Sequence, residues 1–400
     1  MRNLIQGLFV ISFFFLVSCE NKKDTPSFPE LSALIDNVKD TYVPDRRDNV
    51  YEIRVENIDG KPVLKGFTSV KKAKTDLVQQ AFTQNASVID SIIVLPYETG
   101  DKIFGVINVS VADVRMNASY SSEMGTQLLL GAPVEVLQPQ SYWWRIKSAE
   151  GYVAWTTASS FVRMDKEEFN SWTLADKIIF IDDYGFCYEN SATNDQRVSD
   201  LVFGCLLKKE GEQGRFYKVS YPDGRVGYVQ KDSSKPYNEW LASRQLTEEN
   251  ILQKAFSLKG IPYTWGGTSV KAVDCSGFTK TVMLMNGVVL RRDASQQVQT
   301  GIPVDISTGY ENLRPGDLMF FGKKGQDGKK DRIRHVGFYI GDNEFIHASG
   351  YVKINSLDPT KGNYDEGNTR EFIRASRIIG AVGTKGIWKI NKMPLYGEQK

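Results

Sequence analysis

Histidine is scarce in this 400-residue chain, which has two histidines beside 18 tyrosines and 21 phenylalanines. The net charge is also small, since the chain has 50 Lys and Arg and 48 Asp and Glu. No basic stripe with interleaved aromatic residues is present, and this excludes the electrostatic footprint of a nucleic-acid-binding protein. The length predicts two to four domains, because one hydrophobic core seldom serves so many residues.

No long apolar run marks a membrane span at the N-terminus. The mostly apolar run 4–16 is too short to cross a bilayer stably and has the length of a signal-peptide h-region. It leads into Leu-Val-Ser-Cys, which ends at Cys19 and resembles a bacterial lipobox. We therefore expect a signal peptide over 1–18, lipidation of Cys19 and a polar tether over 19–30. The chain would be exported and lipid-anchored to a bacterial membrane, in the periplasm or at the cell surface; an ordinary secretory signal is the alternative.

Cysteine is nearly as scarce as histidine. Beyond Cys19 the chain has Cys187, Cys205 and Cys275, an odd number that leaves an exported protein with at least one free thiol. Cys187 and Cys205 lie in one apparent module. They either form a disulfide or are buried as small apolar residues, and we favour burial.

The pattern of apolar runs and turns changes along the chain and predicts a multidomain α+β protein. Short apolar runs separated by turns predict small β-barrels in its middle part. The order of V-A-D-V-R at 111–115 and G-Y-V at 151–153 resembles bacterial SH3-like domains, and a second G-Y-V occurs at 227–229. The predicted segments are a small N-terminal α/β unit (31–100), SH3-like barrels (101–168 and 169–245) and an α+β domain (246–390).

Cys275 lies where the pattern predicts the start of a helix. It belongs to Asp274-Cys275-Ser276-Gly277, which precedes an apolar helical stretch that ends at Asn286-Gly287. Asp274 is placed to cap this helix. Free amides and the helix dipole favour the thiolate, so the pKa of Cys275 is expected to fall below its free value of about 8.5. A buried structural cysteine is the alternative.

Both histidines lie in residues 332–350, which read as two strands around a turn at Gly341-Asp342. A loop of residues 340–342 would set His335 directly opposite His347, whereas a loop of residues 341–343 would make them diagonal neighbours. Either loop places both imidazoles on one face of the sheet, because the side-chain period of a strand is two. The other face is apolar and predicted to be the core, so the histidine face is expected to be open.

A cysteine, a base and a group that orients the base make up one kind of catalytic site. Cys275, His335 and His347 could supply these three roles. Two surface histidines by chance are one alternative. A Cys-His-His zinc site is another, although structural zinc sites usually use closer ligand pairs.

Segment 255–350 resembles the NlpC-type cell-wall cysteine peptidases, which have a papain-like fold. The matching pieces, in family order, are PYTWGG, DCSGF, LRRDASQQ, LRPGDLMFF and RHVGFYIGDNEFIHASG. The resemblance implies that Cys275 is the nucleophile, that His335 is the general base and later the acid, and that His347 orients His335, with no cofactor or metal. It also implies that Tyr263 lines the oxyanion site. The implied substrate-binding residues are Trp265, Asp274, Ser276 and Ser295.

The order of the whole chain is similar to the narrower group of YkfC-type dipeptidyl-peptidase VI lipoproteins. That similarity implies hydrolysis between D-glutamate and a diamino acid in peptidoglycan stem peptides that have a free N-terminal L-alanine. It also implies that the first SH3-like domain narrows the cleft. Asp274 is expected to pair with the L-alanine ammonium, helped by Glu123, with Tyr152 and Trp155 as further wall residues. A non-catalytic wall-binding lipoprotein, and a transferase or amidase on the same fold, are the alternatives.

Overall fold

The computed structural model describes residues 28–396. The predicted signal peptide 1–18, the lipidation site Cys19 and most of the predicted tether 19–30 lie outside the described residues. The tether prediction was wrong at its end, because Pro29 and Glu30 already form the first turn of a helix, where proline is tolerated. None of the helices in the described part is long and apolar enough to cross a membrane.

The first unit packs two helices against a three-stranded sheet. Its first helix buries Leu31, Leu34 and Val38, whose spacing of three and four residues lines one face. The first two strands form an antiparallel hairpin around Asp59-Gly60, and the third strand runs parallel to the second. The elements are α1 (Pro29–Tyr42), β1 (Tyr51–Ile58), β2 (Lys61–Thr68), α2 (Lys71–Gln84) and β3 (Ile89–Val94).

The second unit is a seven-stranded antiparallel sheet. In chain order its elements are β4 (Phe104–Ile107), β5 (Val111–Arg115), β6 (Met124–Leu129), β7 (Pro133–Gln140), β8 (Trp143–Ser148), β9 (Val153–Thr157), a 3₁₀ helix (Ala158–Ser160) and β10 (Phe161–Met164). The strands lie side by side in the order β10-β4-β7-β8-β9-β5-β6. Alternate residues such as Val134, Val136 and Ile146 point into its own apolar core.

The third unit is a second seven-stranded antiparallel sheet with a helix on either side of it in the chain. Its elements are α3 (Lys166–Leu174), β11 (Lys177–Phe180), β12 (Tyr184–Tyr188), β13 (Arg197–Val202), β14 (Leu206–Gln213), β15 (Phe216–Ser220), β16 (Val226–Gln230), β17 (Ser234–Pro236) and α4 (Tyr237–Ala242). Its strand order is β13-β12-β16-β15-β14-β11-β17. Turns such as Asp182-Asp183 divide apolar runs of the sequence into separate strands. Cys187 and Cys205 are buried as free thiols, as favoured.

The last unit is built on a six-stranded antiparallel sheet in the order β21-β26-β22-β23-β24-β25. Its elements are α5 (Glu248–Ser257), β18 (Thr268–Ser269), β19 (Ala272–Val273), α6 (Cys275–Met285), β20 (Val288–Leu290), α7 (Ala294–Gln297), β21 (Ile302–Val304), β22 (Leu318–Lys323), β23 (Arg332–Gly341), β24 (Glu344–Ser349), β25 (Tyr351–Ser356), α8 (Glu366–Glu371), β26 (Phe372–Arg377), β27 (Ile387–Lys389) and a 3₁₀ helix (Ile390–Lys392). Thr247 caps α5, since its hydroxyl accepts the Asn250 amide at 3.2 Å.

The third and last units share one continuous apolar core. It runs from Ile178 and Leu207 in the third unit to Phe278 on α6 and to Val336 and Ala348 on β23 and β24. The helix that begins at Cys275 is therefore held between the six-stranded sheet and the rest of the chain.

The strand pairing at the histidine hairpin decides between the two predicted registers. Phe338 lies opposite Ile346 and Tyr339 opposite Phe345, so His335 and His347 are diagonal neighbours, and the register that set them directly opposite was wrong. The turn itself is Asp342-Asn343, both with positive φ, as a two-residue hairpin turn requires, and a bulge precedes it.

The histidine face of this hairpin is not open as expected. Phe345 and His347 on that face are fully buried, and they pack beside a second apolar cluster that includes Met319, Phe321 and Leu357. The hairpin is thus packed on both faces, by the main core and by this cluster, and residues 332–334 at the start of β23 line a cleft.

Candidate active site

Cys275 is the first residue of α6, and the helix start is held by its neighbours. The carboxylate of Asp274 accepts the Gly277 amide at 2.7 Å, which is the predicted cap. Gly277 is required here, because a Cβ on it would lie 1.9 Å from the carbonyl oxygen of Gly267. The loop that carries the PYTWGG motif therefore packs directly on the first turn of the helix.

The Cys275 thiol is buried, with 7% of the residue exposed. Burial and the nearby Asp274 carboxylate together raise the pKa of the Cys275 thiol to about 12, against the opposing effects of the Val336 backbone and Arg292. The expectation of a depressed pKa was wrong, because desolvation outweighs the favourable helix position. Cys275 is a neutral thiol at pH 7 in this state.

The two histidines form the end of a hydrogen-bonded series that determines their tautomers. The Asn355 amide donates from Nδ2 to the Asn363 carbonyl at 2.9 Å, so its Oδ1 is the atom that faces His347 Nε2, at 2.9 Å. A carbonyl oxygen only accepts, so His347 carries its proton on Nε2 and leaves Nδ1 as an acceptor. His335 Nε2 lies 2.7 Å from that Nδ1 and must donate to it. His335 Nδ1 therefore keeps its lone pair.

Both imidazoles are neutral at pH 7. Burial, together with the neighbours His347, Arg334 and Lys353, lowers the pKa of His335 to about 3. Burial likewise lowers the pKa of His347 to about 4, although the hydrogen bond with Asn355 acts in the opposite direction. A neutral His335 with a free lone pair has the protonation state that a general base needs.

The thiol and the base are close in the fold but not bonded to each other. The Cys275 thiol lies against the backbone of Val336, the residue next to His335. Within residues 28–396, no hydrogen bond joins Cys275 to either histidine, and no group of three or more His, Cys, Asp and Glu side chains is arranged to hold a metal ion. The zinc alternative thus lacks a ligand cluster in this part of the chain.

Arg292 is a buried charged residue at the site that the sequence motifs did not indicate. It is 1% exposed and forms a bidentate ion pair with Asp274, at 3.1 and 2.5 Å. Asp274 also accepts the amides of Gly277 and Gly266 and the hydroxyl of Ser276. Five donors therefore share the roughly four lone-pair positions of one carboxylate. Asp274 also lines the cleft, and its contact with a substrate ammonium stays a prediction.

A cleft of about 910 Å³ opens above Cys275 between the last unit, the second unit and the loop after α1. The indole of Trp265 donates to Glu123 Oε1 at 2.7 Å, so these two predicted residues bridge the two units across the cleft. Tyr152 also lines the cleft. Trp155 does not, because it is buried in β9 with its ring against the Arg145 guanidinium, 4.6 Å away.

The remaining predicted residues lie close to the thiol. Ser276 and Ser295 line the cleft, and the hydroxyl of Ser276 accepts from Arg292 at 2.9 Å. Tyr263 is half-buried, and its pKa is raised by burial and by the neighbouring Cys275 and Asp274. The Tyr263 side chain is therefore a neutral hydroxyl in the vicinity of the sulfur.

The sequence and the fold of this chain are similar to those of known proteins. Residues 260–374 match the sequence model of the NlpC/P60 family. A gamma-D-glutamyl-L-lysine dipeptidyl-peptidase of Bacillus cereus is 26% identical over 275 residues, which cover 67% of this chain and 79% of that protein. A probable endopeptidase NlpC homolog of Haemophilus influenzae is 32% identical over 171 residues, 42% of this chain and 75% of that protein. The crystal structure of an NlpC/P60 family protein from Bacillus cereus has the same fold, with a TM-score of 0.58 at 23% identity, over 68% of this chain and 99% of that one.

Proposed function

This chain belongs to the NlpC/P60 family, and on that premise we propose that it is a cysteine endopeptidase of peptidoglycan stem peptides. It hydrolyses the bond between γ-D-glutamate and the diamino acid, as the names of its relatives suggest. The observation that carries the proposal is the series from Asn355 through His347 to His335, which leaves an unprotonated Nδ1 next to a helix-capped thiol.

In the first half of the reaction, Cys275 attacks the γ-carbonyl carbon of D-glutamate. Because thiol and imidazole are both neutral at rest, the thiol proton moves to His335 Nδ1 as the carbon–sulfur bond forms. Catalytic hydrogen bonds often tighten only when substrate is bound, so the missing bond between Cys275 and His335 is compatible with this step. Amides at the start of α6 and the Tyr263 hydroxyl stabilise the oxyanion.

In the second half, the tetrahedral intermediate collapses and the carbon–nitrogen bond breaks. His335 gives its proton to the leaving α-amine of the diamino acid, and a thioester to Cys275 remains. Water then attacks the thioester with His335 as base, and the acyl fragment and the thiol are released. Throughout, His347 accepts from His335 Nε2 and keeps its ring in the productive tautomer.

The amine end of the substrate needs an acid, and Glu123 suits this role better than Asp274. Glu123 Oε1 accepts from Trp265, and within residues 28–396 no hydrogen bond or ion pair is made by its Oε2. Glu123 lines the cleft together with Tyr152, so this oxygen can pair with the ammonium of an N-terminal L-alanine. Ser276 and Ser295 supply further polar contacts.

The organisation of the chain around this site is part of the proposal. The two seven-stranded units are SH3-like barrels, with domain limits 31–100, 101–168, 169–245 and 246–390. The order of motifs in the sequence and the antiparallel pairing of both sheets support the assignment as SH3-like barrels. A signal peptide over 1–18 and lipidation of Cys19 would anchor the enzyme to a bacterial membrane, supported by the lipobox-like sequence.

Mass spectrometry of two stem peptides tests the activity: L-Ala-γ-D-Glu-diamino acid and its N-acetylated form. Wild type should release L-Ala-D-Glu from the free-amine peptide only. Cys275→Ala should release none, while Cys187→Ala, which removes another buried free thiol, should remain active. Cleavage of both peptides would retain the peptidase but discard amine recognition, and cleavage of neither would favour a transferase or a binding protein.

A further inference from the structure

The loop of residues 44–48, between α1 and β1, is part of the wall of the cleft. It comes from the N-terminal unit, for which the sequence suggested no role. The second unit holds it in place, because the Val153 amide donates to the Arg47 carbonyl at 2.7 Å. A segment far from the catalytic motifs in sequence thus reaches the active site.

Arg47 is the main link between this loop and the last unit. Its Nη1 donates to Asp293 Oδ2 at 2.7 Å and to the Ser295 hydroxyl at 2.9 Å. The rest of its guanidinium is held by Asp45, which accepts from Nε and Nη2 at 2.7 Å each. The fork geometry of arginine makes this arrangement rigid, and a lysine could not reproduce it.

Two more contacts fasten the 44–48 loop to the residues around α7. The Gln296 amide donates to Asp45 and Asp48 at 3.0 and 3.2 Å. Asp48 also forms an ion pair with Arg291. Ser295 is therefore fixed from the N-terminal unit through Arg47, while its helix is fixed through Gln296 and Arg291.

Tyr152 marks which end of the cleft this is, because Arg47, Asp293 and Glu123 line the cleft together with it. The groups that act on the Tyr152 hydroxyl include Asp293, Arg47 and Glu123. Arg47 thus lies at the same end as Glu123, the acid proposed to receive the substrate ammonium.

We propose that the 44–48 loop is the end wall of the substrate cleft and that Arg47 is a positioning residue for the substrate's N-terminus. The inference rests on the proposed function. Arg47 holds the Ser295 hydroxyl and the Asp293 carboxylate in place at the amine end, and the loop occupies the space into which an N-terminal extension would run. The site therefore selects fragments that begin with a free amine over peptides still joined to glycan through a lactyl group.

The test compares steady-state kinetics of wild type, Arg47→Ala and Arg47→Lys on free-amine L-Ala-γ-D-Glu-diamino acid and on the same peptide with an N-terminal muramyl group. Arg54→Ala is the matched control, because Arg54 belongs to the same unit, is 63% exposed and forms a surface ion pair with Glu56. Arg47→Ala should raise KM for the free-amine peptide by about tenfold, the loss typical of charge-assisted hydrogen bonds, with kcat little changed. Its preference for the free-amine peptide should fall in parallel, Arg47→Lys should rescue only in part, and Arg54→Ala should match wild type.

Several outcomes would overturn the inference. If wild type cleaves the muramyl peptide as well as the free-amine peptide, the end wall is absent although the proposed activity stands. If Arg47→Ala lowers the melting temperature but leaves KM and the preference unchanged, Arg47 has only a structural role. If wild type cleaves neither peptide, the proposed function fails and the inference fails with it.

Discussion

Asn355 offers a sharp test of how the base is kept in its active form. Its Oδ1 accepts the Nε2 proton of His347 at 2.9 Å, and this hydrogen bond determines the tautomers of both histidines. Asn355→Leu removes the acceptor at similar size. Without this acceptor, the Nε2 proton of His347 is no longer favoured, and the proton can move to His347 Nδ1. His347 Nδ1 then donates to His335 Nε2, so His335 must carry its own proton on Nδ1, the atom that has to act as the base.

The size of the effect follows from the lost hydrogen bond. A buried donor left without a partner costs about 1–3 kcal/mol, and each 1.36 kcal/mol corresponds to about tenfold in rate. The variant should therefore lose between about fivefold and 150-fold in kcat. KM should change little, because Asn355 does not line the cleft.

Steady-state assays on the free-amine stem peptide measure this loss. Asn363→Ala is the matched control, because the group that holds Asn355 is the backbone carbonyl of Asn363, which survives the change. Asn355→Asp should keep more activity than Asn355→Leu, since a carboxylate still accepts from His347 Nε2. A kcat for Asn355→Leu within twofold of wild type would refute the tautomer argument.

Three further predictions concern charge and burial. Arg292→Leu leaves the Asp274 carboxylate buried without its ion partner and should lower the free energy of unfolding by about 3–5 kcal/mol in urea denaturation. Adding Asp274→Asn to this variant should restore part of the lost stability. A loss below about 1 kcal/mol would contradict an ion pair shielded from water. His335 and His347 are held neutral with pKa values lowered to about 3 and 4, so the unfolded chain binds more protons below pH 6.5. Stability should accordingly fall on acidification from pH 6.5 towards 4, by up to about 1.4 kcal/mol per pH unit for each histidine, and a His347→Gln variant measured by chemical denaturation should show a shallower fall. Because burial raises the pKa of Cys275 to about 12, its alkylation by iodoacetamide, followed by peptide mass spectrometry, should keep rising through pH 9; a plateau near pH 7 would instead reveal a resting thiolate–imidazolium pair.

Local sequence was sufficient for those parts of the site that depend on neighbouring residues. The cap on α6 follows from Asp274 standing directly before Cys275. That His335 and His347 share one sheet face follows from strand periodicity alone, whichever turn connects the strands. Local sequence left two registers open, and the pairing of Phe338 with Ile346 in the structure selects the diagonal one.

Burial was the main property that the sequence could not supply. The helix position of Cys275 correctly indicated a special environment, but its pKa depends on how much water the fold removes, and desolvation reversed the expected direction. In the same way, nothing nearby in the motif shows that the guanidinium of Arg292 folds back onto the Asp274 carboxylate and is fully buried there.

By itself, then, the sequence determined the family-like motifs, the order of the units and the identity of the thiol and the two imidazoles, all of which depend on residues close together in the chain. The tertiary structure alone decided that Asn355 sets the tautomers, that Arg292 saturates Asp274 and that Arg47 reaches Ser295, 248 residues away in sequence. These contacts join segments that no local periodicity relates. They arise only when the packing of whole units brings their polar groups together and excludes the water that would otherwise pair with them.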